Sequence, residues 1–195
     1  MLKCIQDPAR DDQLVLVDGL DRQVGVATKW DAHVTGSLHR AFSVVLLREG
    51  SDGPELLLAQ RAAGKYHSAG LWANSCCSHP RAGEELLEAA YRRVREELGC
   101  DASDIREVDS FVYRAVFENG LTEHEYDHVL LGRPAGELDP DPVEVSDVRW
   151  VGFQDLARAL ADQPEVFSAW APMVLSIAMR ESLSENAVLL GDTPI

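Results

Sequence analysis

Gly70-Leu71-Trp72-Ala73-Asn74-Ser75-Cys76-Cys77-Ser78-His79-Pro80 runs into Gly83-Glu84-Glu85 and then Tyr91-Arg92-Arg93-Val94-Arg95-Glu96-Glu97-Leu98-Gly99, and this stretch organises the reading of the chain. The first part is irregular, with small residues, two adjacent thiols and an imidazole ahead of a proline. A loop of that make-up, held by a helix with a charged face, is where reactive groups sit. The second part reads as a helix from about Glu84 to Leu98. Leu86, Leu87, Ala90, Val94 and Leu98 recur at spacings of three and four to give one apolar stripe, and Gly99 is its stop.

Outward from this centre, alternation and turn residues mark strands. Leu14–Val17 and 24–29 form a leading hairpin about Asp18-Gly19, and 41–48 pairs with 55–60 around the Gly-Ser-Asp-Gly-Pro turn at 50–54. Beyond the helix, 110–117, 126–131 and 148–151 read as strands. Short and longer helices, around 153–160 and 171–183, close the chain. Strands, helix, strands, helices argue for an α+β or sandwich-like sheet with helices against it.

The chain has 195 residues, 46% hydrophobic and 26% charged, enough for one well-buried core and too few for two full domains. No repeat or linker divides it. Its 33 acidic residues against 18 Lys and Arg leave a formal charge of −15, so nucleic acid and anionic membranes meet a repulsive field. The N-terminus lacks the apolar segment of an ordinary signal peptide. Ser168 to Met179, broken by Pro172 and Ser176, falls short of the roughly 20 residues that span a bilayer. Four cysteines (Cys4, Cys76, Cys77, Cys100), two of them adjacent, suit a disulfide framework badly and point to reduced thiols and a cytoplasmic protein.

The helix end resembles a degenerate Nudix box, G-x5-E-x7-R-E-U-x-E-E-x-G-U, with U aliphatic. Anchored on Gly99, its first Gly falls on Ser78, its first Glu on Glu84, its Arg on Arg92, the next Glu on Arg93, and its Glu pair on Glu96 and Glu97. Arg93 thus stands where Nudix hydrolases carry a metal-binding carboxylate, and a guanidinium there hydrogen-bonds phosphate oxygens directly. With its flanks, the chain resembles the type I isopentenyl diphosphate isomerases, a Nudix-fold family. The matching pieces are 39–44, 74–80, 92–99, Tyr113-Arg114-Ala115, 123–127 and Trp170, in family order from about 30 to 170.

The resemblance implies a single α+β domain over 1–195, a Nudix-type mixed-sheet sandwich with flanking helices, its core about 30–170 and residues 1–30 a leading strand segment or lid. It implies one metal held by His33, His39, His79, Glu123 and Glu125. On a strand Glu123 and Glu125 share a face, and three imidazoles with two carboxylates favour Mn, Zn or Fe. It also implies Cys77 as catalytic thiol, with Glu125 and Tyr113 as the proton-transfer group across the substrate. By the same resemblance Trp170 would stabilise a carbocation, Arg61, Lys65 and Arg93 would bind diphosphate, and Glu97 would hold a bridging Mg. Lys65 is one of three lysines, with Lys3 and Lys29. Cys76, Cys4 and Cys100 read as small buried apolar residues.

The activity implied is interconversion of isopentenyl and dimethylallyl diphosphate by a chain expected to be monomeric, without nucleic-acid partner or membrane span. Rival readings are an isomerase-like paralogue for another prenyl diphosphate, a Nudix hydrolase, which Arg93 argues against, and a non-catalytic Nudix binding module.

Overall fold

A computed structural model describes residues 12–189; the first eleven residues of the 1–30 segment read as a leading strand or lid, Lys3 and Cys4 among them, and the extreme tail lie outside them. The leading hairpin forms from β1 (Gln13–Val17) and β2 (Gln23–Thr28). A helix absent from the sequence reading follows, α1 (Lys29–Thr35). Its signals are local: the Thr28 side chain accepts from the Asp31 N–H at its start, and Gly36 at φ 66° ends it in the left-handed region.

The long strand β3 (His39–Gly50) organises the sheet. Its first half pairs in parallel with β8 (Thr122–Ala135) and antiparallel with β6 (Cys76–Ser78). Its end pairs with β4 (Gly53–Arg61), which also takes β5 (Trp72–Ala73) and β9 (Val145–Gly152). The outer partner of β8 is β7 (Asp101–Val116). The stretch between 64 and 82 therefore contains two short strands, and β7 begins well before 110. The apolar residues skipped there, Ala102, Ile105 and Val108, recur at every third position, so alternation carries no signal in Asp101–Asp109.

Two cores result. On one side α2 (Leu86–Leu98) packs Ala89, Ala90, Val94 and Leu98 onto Phe42, Val44, Leu57 and Leu130. Leu87, expected in the stripe, is exposed, and Ala89 takes its place. The other core lies under α4 (Ala171–Leu189), longer than expected, with α3 (Phe153–Asp162) supplying Leu156. Helices on both faces of a mixed sheet make the expected α+β sandwich.

Gly99 has a sharper duty than stopping α2. Its φ is 64°, and a Cβ there would lie 2.0 Å from Asp139 O. The loop at 138–144 docks on the helix end, where Asp139 N–H donates to Leu98 O and Asp141 N–H to Glu97 O, satisfying carbonyls the helix leaves open. Gly99→Ala combines left-handed strain with overpacking against backbone, and is expected to cost about 2–5 kcal/mol in urea unfolding. A cost within about 0.5 kcal/mol would show that the loop is not seated this closely.

Candidate active site

Side chains alternate faces along a strand, and that period gathers the chemistry. His39 and Ser43 of β3, Cys77 of β6 with His79 just beyond it, Tyr113 of β7, and Glu123, Glu125 and Asp127 of β8 all meet on one face. Register brings Ser43 opposite Cys77 and Tyr113 opposite Glu125. α1 adds His33 from the side.

His33, His39, His79, Glu123 and Glu125 each offer one ligand atom, all within 4.8 Å of one another. His33 Nδ1 lies 2.6 Å from Lys29 O and His39 Nδ1 2.8 Å from Ser37 O. Those carbonyls hold the Nδ1–H tautomers and turn the Nε2 lone pairs inward, as metal-ligating imidazoles require. His33 Nε2 and Glu123 Oε2 stand 3.0 Å apart, buried, with no aligned hydrogen bond. His79 Nε2 lies 2.8 Å from Glu125 Oε1 and 3.3 Å from His39 Nε2. Converging lone pairs and orphaned buried atoms fit a divalent cation.

Burial is the largest single influence on each of these groups, but neighbouring charges reverse its direction at His33 and Glu123. It lowers His79 to about 4, leaving a neutral ligand. His33 is raised: burial opposes its charge, but the Glu123 carboxylate outweighs burial. Burial also works against the Glu123 carboxylate, yet its His33 partner holds it well below the usual range. A ligating histidine must be neutral, so loading an ion is expected to release a proton from His33, and the release should grow as pH falls through the range where His33 protonates. Titration calorimetry in buffers of different ionisation heat reads this directly; release that does not grow as pH falls would contradict the His33–Glu123 pairing.

Cys77 sits beside this cluster. Its Sγ is 2.9 Å from Asn74 Oδ1, 3.0 Å from Trp170 Nε1 and 3.5 Å from Ser43 Oγ. Asn74 spends both amide hydrogens on Val44 O and Cys76 O, which aims its oxygen at the thiol. Burial pushes the Cys77 thiol up, as does the nearby Asp127, so it is a proton-bearing acid rather than a standing thiolate. Across the space, Tyr113 donates its hydroxyl to Glu125 Oε2 at 2.5 Å. Trp170 reaches from one to the other: its indole N–H donates to Sγ, and its ring centroid is 6.4 Å from that of Tyr113.

The cationic end lies in the same cavity, lined by Arg61, Lys65, Arg93 and Glu97 together with Cys77 and Glu125. Arg61 hydrogen-bonds His67 O, and its guanidinium lies 5.2 Å over the Trp170 ring. Arg93 pairs with Glu97 across one helical turn, with Glu96 at 2.8 Å and with Glu144 at 3.4 Å. Of the Glu96–Glu97 pair only Glu97 faces the cavity. Arg92 turns back to Glu84 through two hydrogen bonds of 2.6 and 2.8 Å and locks the start of α2.

The sequence reading passed over several residues of this site. His67, buried and stacked on Phe117, places Nε2 2.6 Å from Glu123 Oε1. Glu144 pairs with Lys65, and Lys29 lines the cavity. Lysine scarcity was a signal for Lys29; nothing local distinguished His67 or Glu144.

The helix α2 laid over a mixed sheet, with carboxylates and cations facing one cavity, defines a NUDIX domain, and residues 37–171 match that family. A solved Deinococcus radiodurans structure shares the fold, with a TM-score of 0.62 at 22% identity over 84% of this chain and 97% of that one. Isopentenyl-diphosphate Delta-isomerase of Photobacterium profundum is 48% identical over 177 residues, 90% of this chain and 98% of that protein. Its counterpart in Burkholderia multivorans is 47% identical over 160 residues, 82% of this chain and 89% of that protein. The chain belongs to the isopentenyl-diphosphate isomerase family of NUDIX proteins. No helix among the described residues is long and apolar enough to cross a membrane.

Proposed function

We propose that this chain interconverts isopentenyl and dimethylallyl diphosphate, with Cys77 and the Tyr113–Glu125 pair as its two proton-transfer groups. The observation that carries the reading is their placement. A proton-bearing thiol and a hydrogen-bonded phenol–carboxylate pair face one space under Trp170, and Arg61, Lys65 and Arg93 line the same cavity.

The chemistry demands this arrangement. One group adds a proton to the terminal alkene carbon, a tertiary carbocation forms, and the other removes a proton from C2, so the double bond moves and nothing leaves. Protonating an unactivated alkene needs an acid held out of water. Cys77 is in contact with Asn74, Ser43 and Trp170, which hold it in place. The indole ring of Trp170 offers the cation a π face, worth ~0.5–2 kcal/mol. Tyr113 orients the Glu125 carboxylate, and the cationic end binds the diphosphate and keeps the allylic product from ionising.

His33, His39, His79, Glu123 and Glu125 would hold one Mn, Zn or Fe ion, and Glu97 a Mg ion accompanying the diphosphate; such ions supply positive charge beside Glu125 and the phosphates. The test is incubation of the purified protein with isopentenyl diphosphate, Mg and Mn, followed by assay for acid-labile allylic product. Phosphate release without allylic product would favour a hydrolase.

A further inference from the structure

Glu144 is built into the diphosphate end of the cavity although no motif includes it. Its loop is fixed on two sides: Asp141 N–H donates to Glu97 O at the end of α2, and Ala62 N–H donates to Glu144 O just past β4. The side chain is thereby aimed between Lys65 and Arg93, two of the three cations assigned to phosphate. One carboxylate oxygen pairs with Lys65 Nζ, and the other lies 3.4 Å from Arg93. Arg93 is engaged by Glu97 as well. An internal anion thus stands against the cations that phosphate oxygens would engage.

A diphosphate arriving alone would bring its negative charge against Glu144 and Glu97, in a chain of net charge −15. Like charges this close repel, and partial burial limits screening. Glu144 and Glu97 are hard oxygen donors that would hold a divalent ion, and with their charge taken up in that way Lys65 and Arg93 would be free for phosphate. We propose that Glu144 couples diphosphate binding to the divalent ion, holding Lys65 and Arg93 in the empty site and releasing them to phosphate only when the ion is present. The inference rests on the proposed reading of this cavity as a diphosphate site, and it adds a residue that makes the site selective for metal-accompanied diphosphate over the free anion.

Such coupling is reciprocal, each ligand tightening the other by one factor. The test is calorimetric binding of inorganic pyrophosphate, with and without Mg, to the intact chain and to Glu144→Gln and Glu144→Asp, with circular dichroism as a check on folding. Glu144→Gln is expected to bind pyrophosphate about tenfold more tightly without Mg, and its enhancement by Mg should shrink by the same factor. Glu144→Asp keeps the charge and should retain most of the coupling. Unchanged metal-free affinity in Glu144→Gln, or a loss both with and without Mg, would overturn the proposal, the latter by showing that Glu144 merely braces its cations. Should Glu144→Gln fail to fold, the natural chain still decides: pyrophosphate binding that is equally tight without Mg refutes the coupling. Isopentenyl diphosphate turnover on the same preparation separates the two ideas, because its absence would sink the reaction while the pyrophosphate data judged Glu144.

Discussion

Cys77→Ala is expected to lower turnover by about two to four orders of magnitude while leaving the bound metal in place. The rate loss follows from removing one of two proton carriers, since a positioned acid or base contributes about 10²–10⁴-fold. The metal is spared because the thiol lies outside the five-residue His/Glu cluster. Glu125→Gln should lose a comparable factor and also metal, because that carboxylate meets His79 at 2.8 Å and Tyr113 at 2.5 Å. Deuterium uptake from heavy water, read beside metal content, separates the two variants. Near-native turnover in Cys77→Ala would remove the thiol from the chemistry, and full metal content in Glu125→Gln would remove that residue from the ligand set.

Chelation is expected to abolish diphosphate binding as well as turnover, and to lower the unfolding temperature. With ions removed, Lys65 and Arg93 stay paired with Glu144 and Glu97, and no long-range attraction gathers a polyanion to a chain of charge −15. The stability loss has a separate source. Glu123 and Glu125 are nearly buried side by side, and an ion held at a hundredfold excess over its dissociation constant stabilises the fold by about 2.7 kcal/mol. For a domain of this size that corresponds to about 5–10 °C. Differential scanning calorimetry with and without chelator checks it; tight pyrophosphate binding to the metal-free chain would refute the charge argument.

How far the site was readable depended on whether its residues sat in a local pattern. Glu123 and Glu125 lie two apart in one strand, so spacing put them on a common face, whereas Cys77 and His79 share a short motif that the family resemblance singled out. Arg93 and Glu97 followed from helical period and the Gly99 stop. α1 was missed because its Thr28–Asp31 cap and Gly36 stop enclose only seven residues, too few for an apolar stripe. Trp170 was legible as a residue of the site, but not in its contacts: its indole N–H goes to the thiol and its ring lies near Arg61.

The sequence by itself determined the α+β class and the strand–helix frame about the Gly70–Gly99 stretch, because both are written in short-range periodicity and turn chemistry, while the proposed proton carriers and ligand set came from the resemblance of its motifs to the isomerase family. Only the tertiary structure decided how these groups are held. The parallel pairing of β3 with β8 sets His39 level with Glu125. A loop seated against Gly99 delivers Glu144 to Lys65 and Arg93, and Asn74 turns its oxygen to Cys77 because two backbone carbonyls claim its hydrogens. These contacts join residues far apart in the chain through register, loop docking and hydrogen-bond completion, and no local period encodes them.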